Sequence, residues 1–151
     1  MEIITPQFIL IMPVLLRCLY TDMKKGKIEN KVILIATLLG IMLNYVTGGF
    51  DAVVEGVKMA GIIIALLYAL FLIKGLGAGD IKLLSLIGLL FPKHAFMITA
   101  LSFILAAALA LIRIIIRLLK KEKALVRGET IHFSIPIALA CILVVIVKEV
   151  I

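Results

Sequence analysis

Six apolar runs, at about residues 3–20, 31–47, 52–73, 81–92, 94–117 and 131–150, are separated only by short polar connections. A helix that crosses a membrane needs about 20 mostly apolar residues, and all but the fourth run come close to that length. With 64% of the 151 residues hydrophobic and a mean hydropathy of +1.29, the chain has too little polar surface to wrap a single core in water. A soluble domain is closer to half apolar. Lipid is therefore the expected solvent. In lipid each backbone N–H and C=O must be paired within the protein, and a helix does this alone. The expectation is an all-α, polytopic membrane protein with six transmembrane helices, forming one domain over residues 1–151. No long linker, low-complexity tract or internal repeat divides it.

Charge sets the expected orientation. Of the sixteen basic residues, Arg17, Lys24, Lys25, Lys27 and Lys31 surround the first connection, and Lys74 and Lys82 the third. Arg113, Arg117, Lys120, Lys121, Lys123 and Arg127 surround the fifth, which leaves only Lys58, Lys93 and Lys148 for the other side. Basic residues stay on the cytoplasmic side, so the odd connections face the cytoplasm and both termini lie outside. The net charge of +7 thus reads as topology and attraction to anionic lipid, with no nucleic-acid partner implied. The fourth run, "IKLLSLIGLLF", is short enough to be re-entrant. A re-entrant run would put the basic cluster of the fifth connection outside, so it is expected to span. The N-terminal "MEIITPQFIL" lacks the charged start and small-residue cleavage site of a signal peptide, so the first run is expected to stay in the mature protein.

Cys18 and Cys141 lie in apolar runs without C-x-x-C spacing and read as small buried hydrophobes. His94 and His132 fall on opposite sides of the expected topology, and no ligand cluster has metal spacing, so neither a metal nor another cofactor is expected. Among the acids, Glu122 and Glu129 sit amid the basic residues of the fifth connection. Asp22, just after the first run, and Asp80, just before the fourth, both face the cytoplasmic boundary, with Glu29 nearby in a loop and expected to pair with Lys27 or Lys31.

An ionised carboxylate next to hydrocarbon is costly, which argues that it is kept for a use. Two carboxylates brought together share a proton, because a second negative charge nearby is disfavoured. One then serves as general base toward water and the other as general acid. Asp80 opens a helix, where the dipole favours an anion, so the base role leans to Asp80 over Asp22, with the pair expected to titrate as a unit. In "KGLGAGDIKLL", Gly75, Gly77 and Gly79 allow another backbone to come close, as an extended peptide substrate requires.

"GLGAGDIKLL" resembles the G-x-G-D-x-K-L motif of the GxGD aspartic peptidases, in particular the type IV prepilin peptidase group. "TDMKKGKIENKV" resembles that family's first motif, in which an Asp is followed by Ile-Pro-Asn, with Glu29 in place of the Pro. "RGETIHFSIPIALA" resembles its closing stretch. The resemblance implies Asp22 and Asp80 as the catalytic pair, Gly77, Gly79 and Lys82 as the active-site loop, and Asn30 as the Asn of the first motif. It implies an aspartic endopeptidase of the prokaryotic plasma membrane that removes the basic leader of type IV prepilins, pseudopilins or preflagellins at the cytoplasmic face, in pilus assembly and protein secretion. Longer members carry an N-terminal C-x-x-C module and also methylate the product. Here residues 1–20 lead straight into the first run, so the chain resembles the short peptidase-only form and no methyltransferase activity is expected. Two other classes use the same residues. A small proton- or cation-coupled transporter would want acids nearer mid-helix and matching halves, and an assembly subunit of a secretion machine would tolerate Asp→Asn.

Overall fold

The computed structural model describes residues 5–119 and 133–150. The fifth connection beyond residue 119, with Glu122 and Glu129, lies outside the described residues, as do His132 and residues 1–4. The described chain is all-α: α1 (Pro6–Lys25), α2 (Asn30–Leu72), α3 (Ala78–Leu90), a 3-10 turn (Pro92–His94), α4 (Ala95–Leu119) and α5 (Ser134–Val150).

α1 begins on a proline, whose missing N–H costs nothing at a first helical position. It stops at Gly26, which takes the left-handed conformation (φ 61°, ψ 25°) and returns its N–H to the Asp22 carbonyl at 2.8 Å. The sequence placed Asp22 just after this helix. It lies instead inside the last turn, because Met23, Lys24 and Lys25 are good helix formers and Gly26 is the first residue that ends the run.

The second and third apolar runs form one helical stretch, with "TGGFD" making no open loop. Gly49 alone leaves helical geometry, at φ 69° and ψ −161°, a region open in practice only to glycine. The chain reverses there. A Cβ on Gly56 would lie 2.9 Å from Asn44 Nδ2, although twelve residues of straight helix would separate them by about 18 Å. α2 is therefore two antiparallel arms, residues 30–48 and 50–72.

α3 lies between these arms and is the centre of the molecule. Leu83, Leu84, Leu86 and Ile87 are fully buried, and Leu89 and Leu90 nearly so. Small residues let the arms come close: Gly40 faces Leu89 and Leu90, and Gly88 faces Ala60 and Ile63. Thirteen residues make about 20 Å of helix, short of the roughly 30 Å of bilayer hydrocarbon. The C-terminal carbonyls of so short a helix need partners. Asn44 Nδ2 supplies one, donating to the Leu89 carbonyl at 2.8 Å. α3 starts beside Ile28 and Asn30 and ends beside Asn44 and Gly56, so it crosses the bundle and does not turn back. α4 then returns, and Phe103 meets Phe133 at 5.1 Å just before α5 begins.

Two helical stretches, Asn30–Leu72 and Pro92–Ile116, are long and apolar enough to cross a membrane, with mean hydropathies of 2.0 and 2.5. A core helix of a soluble protein would bury most of such a surface. Here Leu34, Ile35, Leu38, Met42, Ile104, Leu111 and Ile115 all point outward, as expected where lipid is the surrounding medium.

Candidate active site

The C-terminal end of α1, the start of α2, the start of α3 and the start of α5 meet at one end of the bundle. Asp22 is buried there, 8% exposed, on the inner face of α1 that also carries Leu15 and Cys18. Its position in the last turn faces the negative end of the α1 dipole, which Lys24 and Lys25 in the same turn offset. Its Oδ2 accepts a 2.6 Å hydrogen bond from the hydroxyl of Ser134, the first residue of α5, which is 1% exposed.

Asp80 is the third residue of α3, half-buried, with its N–H bonded to the Gly77 carbonyl at 3.2 Å. Burial raises its carboxyl from 3.8 to about 6, and the charge of Asp22 pushes in the same direction. A backbone hydrogen bond from Gly77 acts the other way but does not win. The carboxylate thus reaches back to the residue that caps its own helix. The expectation of Asp80 as the base rested on the helix dipole, which favours an anion there. Desolvation and a neighbouring like charge outweigh it, so Asp80 takes up a proton more readily than an ordinary aspartate.

The two glycines before Asp80 have separate reasons. A Cβ on Gly77 would stand 2.9 Å from Asp80 Oδ2, in the space the carboxylate uses. A Cβ on Gly79 would stand 3.0 Å from the Cβ of Ile28, so the bare backbone there lets the loop after α1 lie against α3. The close approach expected of an incoming peptide is made at these two positions by the chain itself. Gly75 serves the end of α2. Its N–H bonds the Leu70 carbonyl at 2.9 Å, after Lys74 has taken the left-handed conformation at φ 58°.

Two further contacts tie the sequence motifs together. Lys82 Nζ donates to Asn30 Oδ1 at 3.0 Å, joining the start of α3 to the start of α2. Glu29 pairs with Arg17 Nη2 at 3.4 Å and Lys25 Nζ at 3.7 Å. The expected partners, Lys27 and Lys31, are not the ones it uses. Lys25 lies four residues before Glu29, and Arg17 comes back within reach because the loop folds onto α1. Asp22, Asp80, Asn30, Lys82, Gly77 and Gly79 are thus gathered at one end. Ser134 joins them and was not singled out from sequence, where a serine at a helix start reads as an ordinary beginning.

The arrangement offers two carboxylic acids in unequal surroundings. One accepts a short hydrogen bond from a buried hydroxyl, and the other keeps its proton up to about pH 6. Such a pair can activate water and donate a proton in one reaction. Among the described residues no cluster of His, Cys, Asp and Glu could hold a metal ion. The model of the type IV leader peptidase family matches residues 9–112, a stretch that contains both acids and stops before Ser134. No curated protein and no solved structure matches the chain.

Proposed function

This chain belongs to the type IV leader peptidase family, and we propose that it is an aspartic endopeptidase of the GxGD type whose catalytic pair is Asp22 and Asp80. Its substrate is a type IV prepilin, pseudopilin or preflagellin, cut at the basic leader on the cytoplasmic face of the prokaryotic plasma membrane. Six membrane crossings, formed by α1, the two arms of α2, α3, α4 and α5, with both termini outside, bring the acid-bearing end to that face. The observation that carries the reading is that the segment after Asp22 packs on the start of α3: Ile28 lies against Gly79, next to Asp80, and Asn30 bonds Lys82.

The chemistry follows from the unequal surroundings of the two acids. Asp22, supported as a carboxylate by the Ser134 hydroxyl, takes a proton from water as the water oxygen bonds to the scissile carbonyl carbon. Asp80, protonated, gives its proton to the carbonyl oxygen. The C–N bond of the tetrahedral intermediate then breaks, the nitrogen leaves as an amine with the proton held by Asp22, and a carboxylic acid remains on the leader. The alcohol proton returns to Asp80 as the carbonyl reforms. Atoms and charge balance without a cofactor. Gly77 keeps the space of the Asp80 carboxylate open, Gly79 admits the Ile28 loop, and the Asn30–Lys82 bond holds the two motif-bearing segments together. The transporter reading gains no support, since both acids sit at helix ends on one side of the bundle.

The test is coexpression with a leader-bearing prepilin. Asp22→Asn and Asp80→Asn are each expected to leave the prepilin at its precursor size on a gel. General acid–base groups contribute about 100- to 10,000-fold, so normal processing by either variant overturns the assignment.

A further inference from the structure

We propose that Ser134 is the positioning residue that fixes which member of the acid pair is the base, an inference that rests on the peptidase reading above. Its hydroxyl is buried, 1% exposed, and lies 2.6 Å from Asp22 Oδ2. A donor at that distance to a carboxylate is a charge-assisted bond, shorter and stronger than a neutral one. It favours the charged form of the acid that receives it. The hydroxyl is held in place by its element: Pro136 and Ile137, in the same first turn of α5, are fully buried, and the Phe133 ring packs against Phe103 at a tilt of 57°. Pro136 has no N–H to lose there, since a helix's first turn leaves its donors unpaired within the helix. Ser134 therefore approaches Asp22 from a rigid start of helix, 112 residues away in sequence.

The consequence is an asymmetry. Two neighbouring carboxylates do not both ionise freely. Among the described residues a side-chain hydroxyl is aimed at Asp22 and no side-chain donor at Asp80, which sets Asp22 apart as the member held for the base. Burial first, and the neighbouring Asp22 charge second, raise the Asp80 carboxyl, and the Ser134 bond holds Asp22 where that charge acts. Ser134 neither gives nor takes a proton in the reaction. It acts through Asp22 and does not touch the peptide.

Other charged and titratable groups on the surrounding elements include Arg17, Cys18, Tyr20, Lys24 and Lys25 on α1, Lys27 and Glu29 in the following loop, Lys31 at the start of α2, Asp80 and Lys82 on α3, and Cys141 on α5. All are unchanged by substitution at 134, so a difference in pH profile between variants reports the Ser134 bond. The experiment uses the full chain in detergent with a leader-bearing prepilin as substrate, and compares wild type with Ser134→Ala, Ser134→Thr and Ser134→Cys. Ser134→Ala is expected to lower kcat about ten- to a hundredfold, the scale of one hydrogen bond to a charged group. KM should stay nearly constant, and the acidic limb of the pH–rate profile should move to higher pH. Ser134→Thr keeps the hydroxyl and is expected to recover most of kcat. Ser134→Cys keeps the volume with a weak donor and is expected to fall between.

Wild-type kcat and pH profile in Ser134→Ala overturns the proposal. If the alanine variant does not fold, Ser134→Cys decides: a wild-type rate and limb overturn the proposal, and a reduced rate with a shifted limb supports it. A threonine variant no better than alanine overturns it as well, by pointing to packing. Asp22→Asn runs alongside. If it cleaves normally, the peptidase assignment of the pair fails first and takes this inference with it. If it is inactive while Ser134→Ala behaves as wild type, the pair stands and only the positioning role is lost.

Discussion

The two ends of α3 solve one geometric problem with different chemistry. At both, a polar side chain and a glycine come together against a helix end in an apolar protein. At the far end Asn44 donates to the Leu89 carbonyl at 2.8 Å, and Gly56 leaves room for that same carbonyl. The groups are neutral and the bond closes the helix, so nothing is left over. At the near end Gly77 leaves room for the Asp80 carboxylate, but the group accommodated is a charge that burial and Asp22 both disfavour. A satisfied amide stabilises. A carboxylate kept where its charge is opposed costs stability and offers reactivity in exchange. Two similar glycine–polar contacts are thus told apart by whether the polar group is electrically at rest.

The same substitution made at each end should break the symmetry most visibly. A Cβ on Gly56 would lie 2.5 Å from a backbone oxygen that cannot step aside. Gly56→Ala is expected to lose about 3 kcal/mol of stability, read as a lower thermal midpoint in detergent, with the remaining folded protein still cutting substrate. A Cβ on Gly77 meets the end of a side chain that can rotate. Gly77→Ala is expected to unfold within a few degrees of wild type while cleavage falls tenfold or more. If the two variants lose stability equally, the distinction between the ends is wrong.

A smaller effect sharpens the claim about charge. The Asp80 carboxyl is raised from 3.8 to about 6, so its proton stabilises the fold. That contribution is complete below about pH 4 and is lost as the pH rises through about 6. Asp80→Asn should therefore match wild type near pH 4 and exceed it above pH 6.5. A shift of this size bounds the gain at about 3 kcal/mol, reduced by the water that a half-buried group still sees. Thermal midpoints at the two pH values measure it. A variant less stable than wild type at neutral pH would mean that the carboxylate is at rest after all.

The smallest effect concerns the entry to the near end. Lys74 holds a left-handed conformation at φ 58° without being glycine. Lys74→Gly is expected to raise stability by about 1 kcal/mol, without change in cleavage. No gain would mean that the turn before Gly75 is held by contacts of the lysine itself.

Much of this was legible in the sequence for physical reasons. Apolar runs of helical length announce rods, and the spacing of Asp22 and Asp80 relative to those runs puts both acids at the same end. The glycines before Asp80 were legible as a place of close approach. What they face was not, because Ile28 and the Asp80 carboxylate arrive there through tertiary packing. Asp22 fell inside a helix because the boundary is set by Gly26 and not by the first polar residue. The turn at Gly49 was readable as a break but not as one residue long. Ser134 was hidden because its meaning depends on the register between α1 and α5, which no local pattern records.

The reversal at Gly49 also has a mechanical meaning. The two arms of α2 are joined at the far end by a single non-helical residue, and at the near end one begins at Asn30 and the other finishes at Leu72. They grip α3 as a clothes-peg grips a line, with the spring at the apex. A lever pinned at its apex opens widest at its tips, so any breathing of this peg gives its largest displacement beside Asp80 and almost none beside Leu89. Compliance is thereby delivered to the end that carries the two acids.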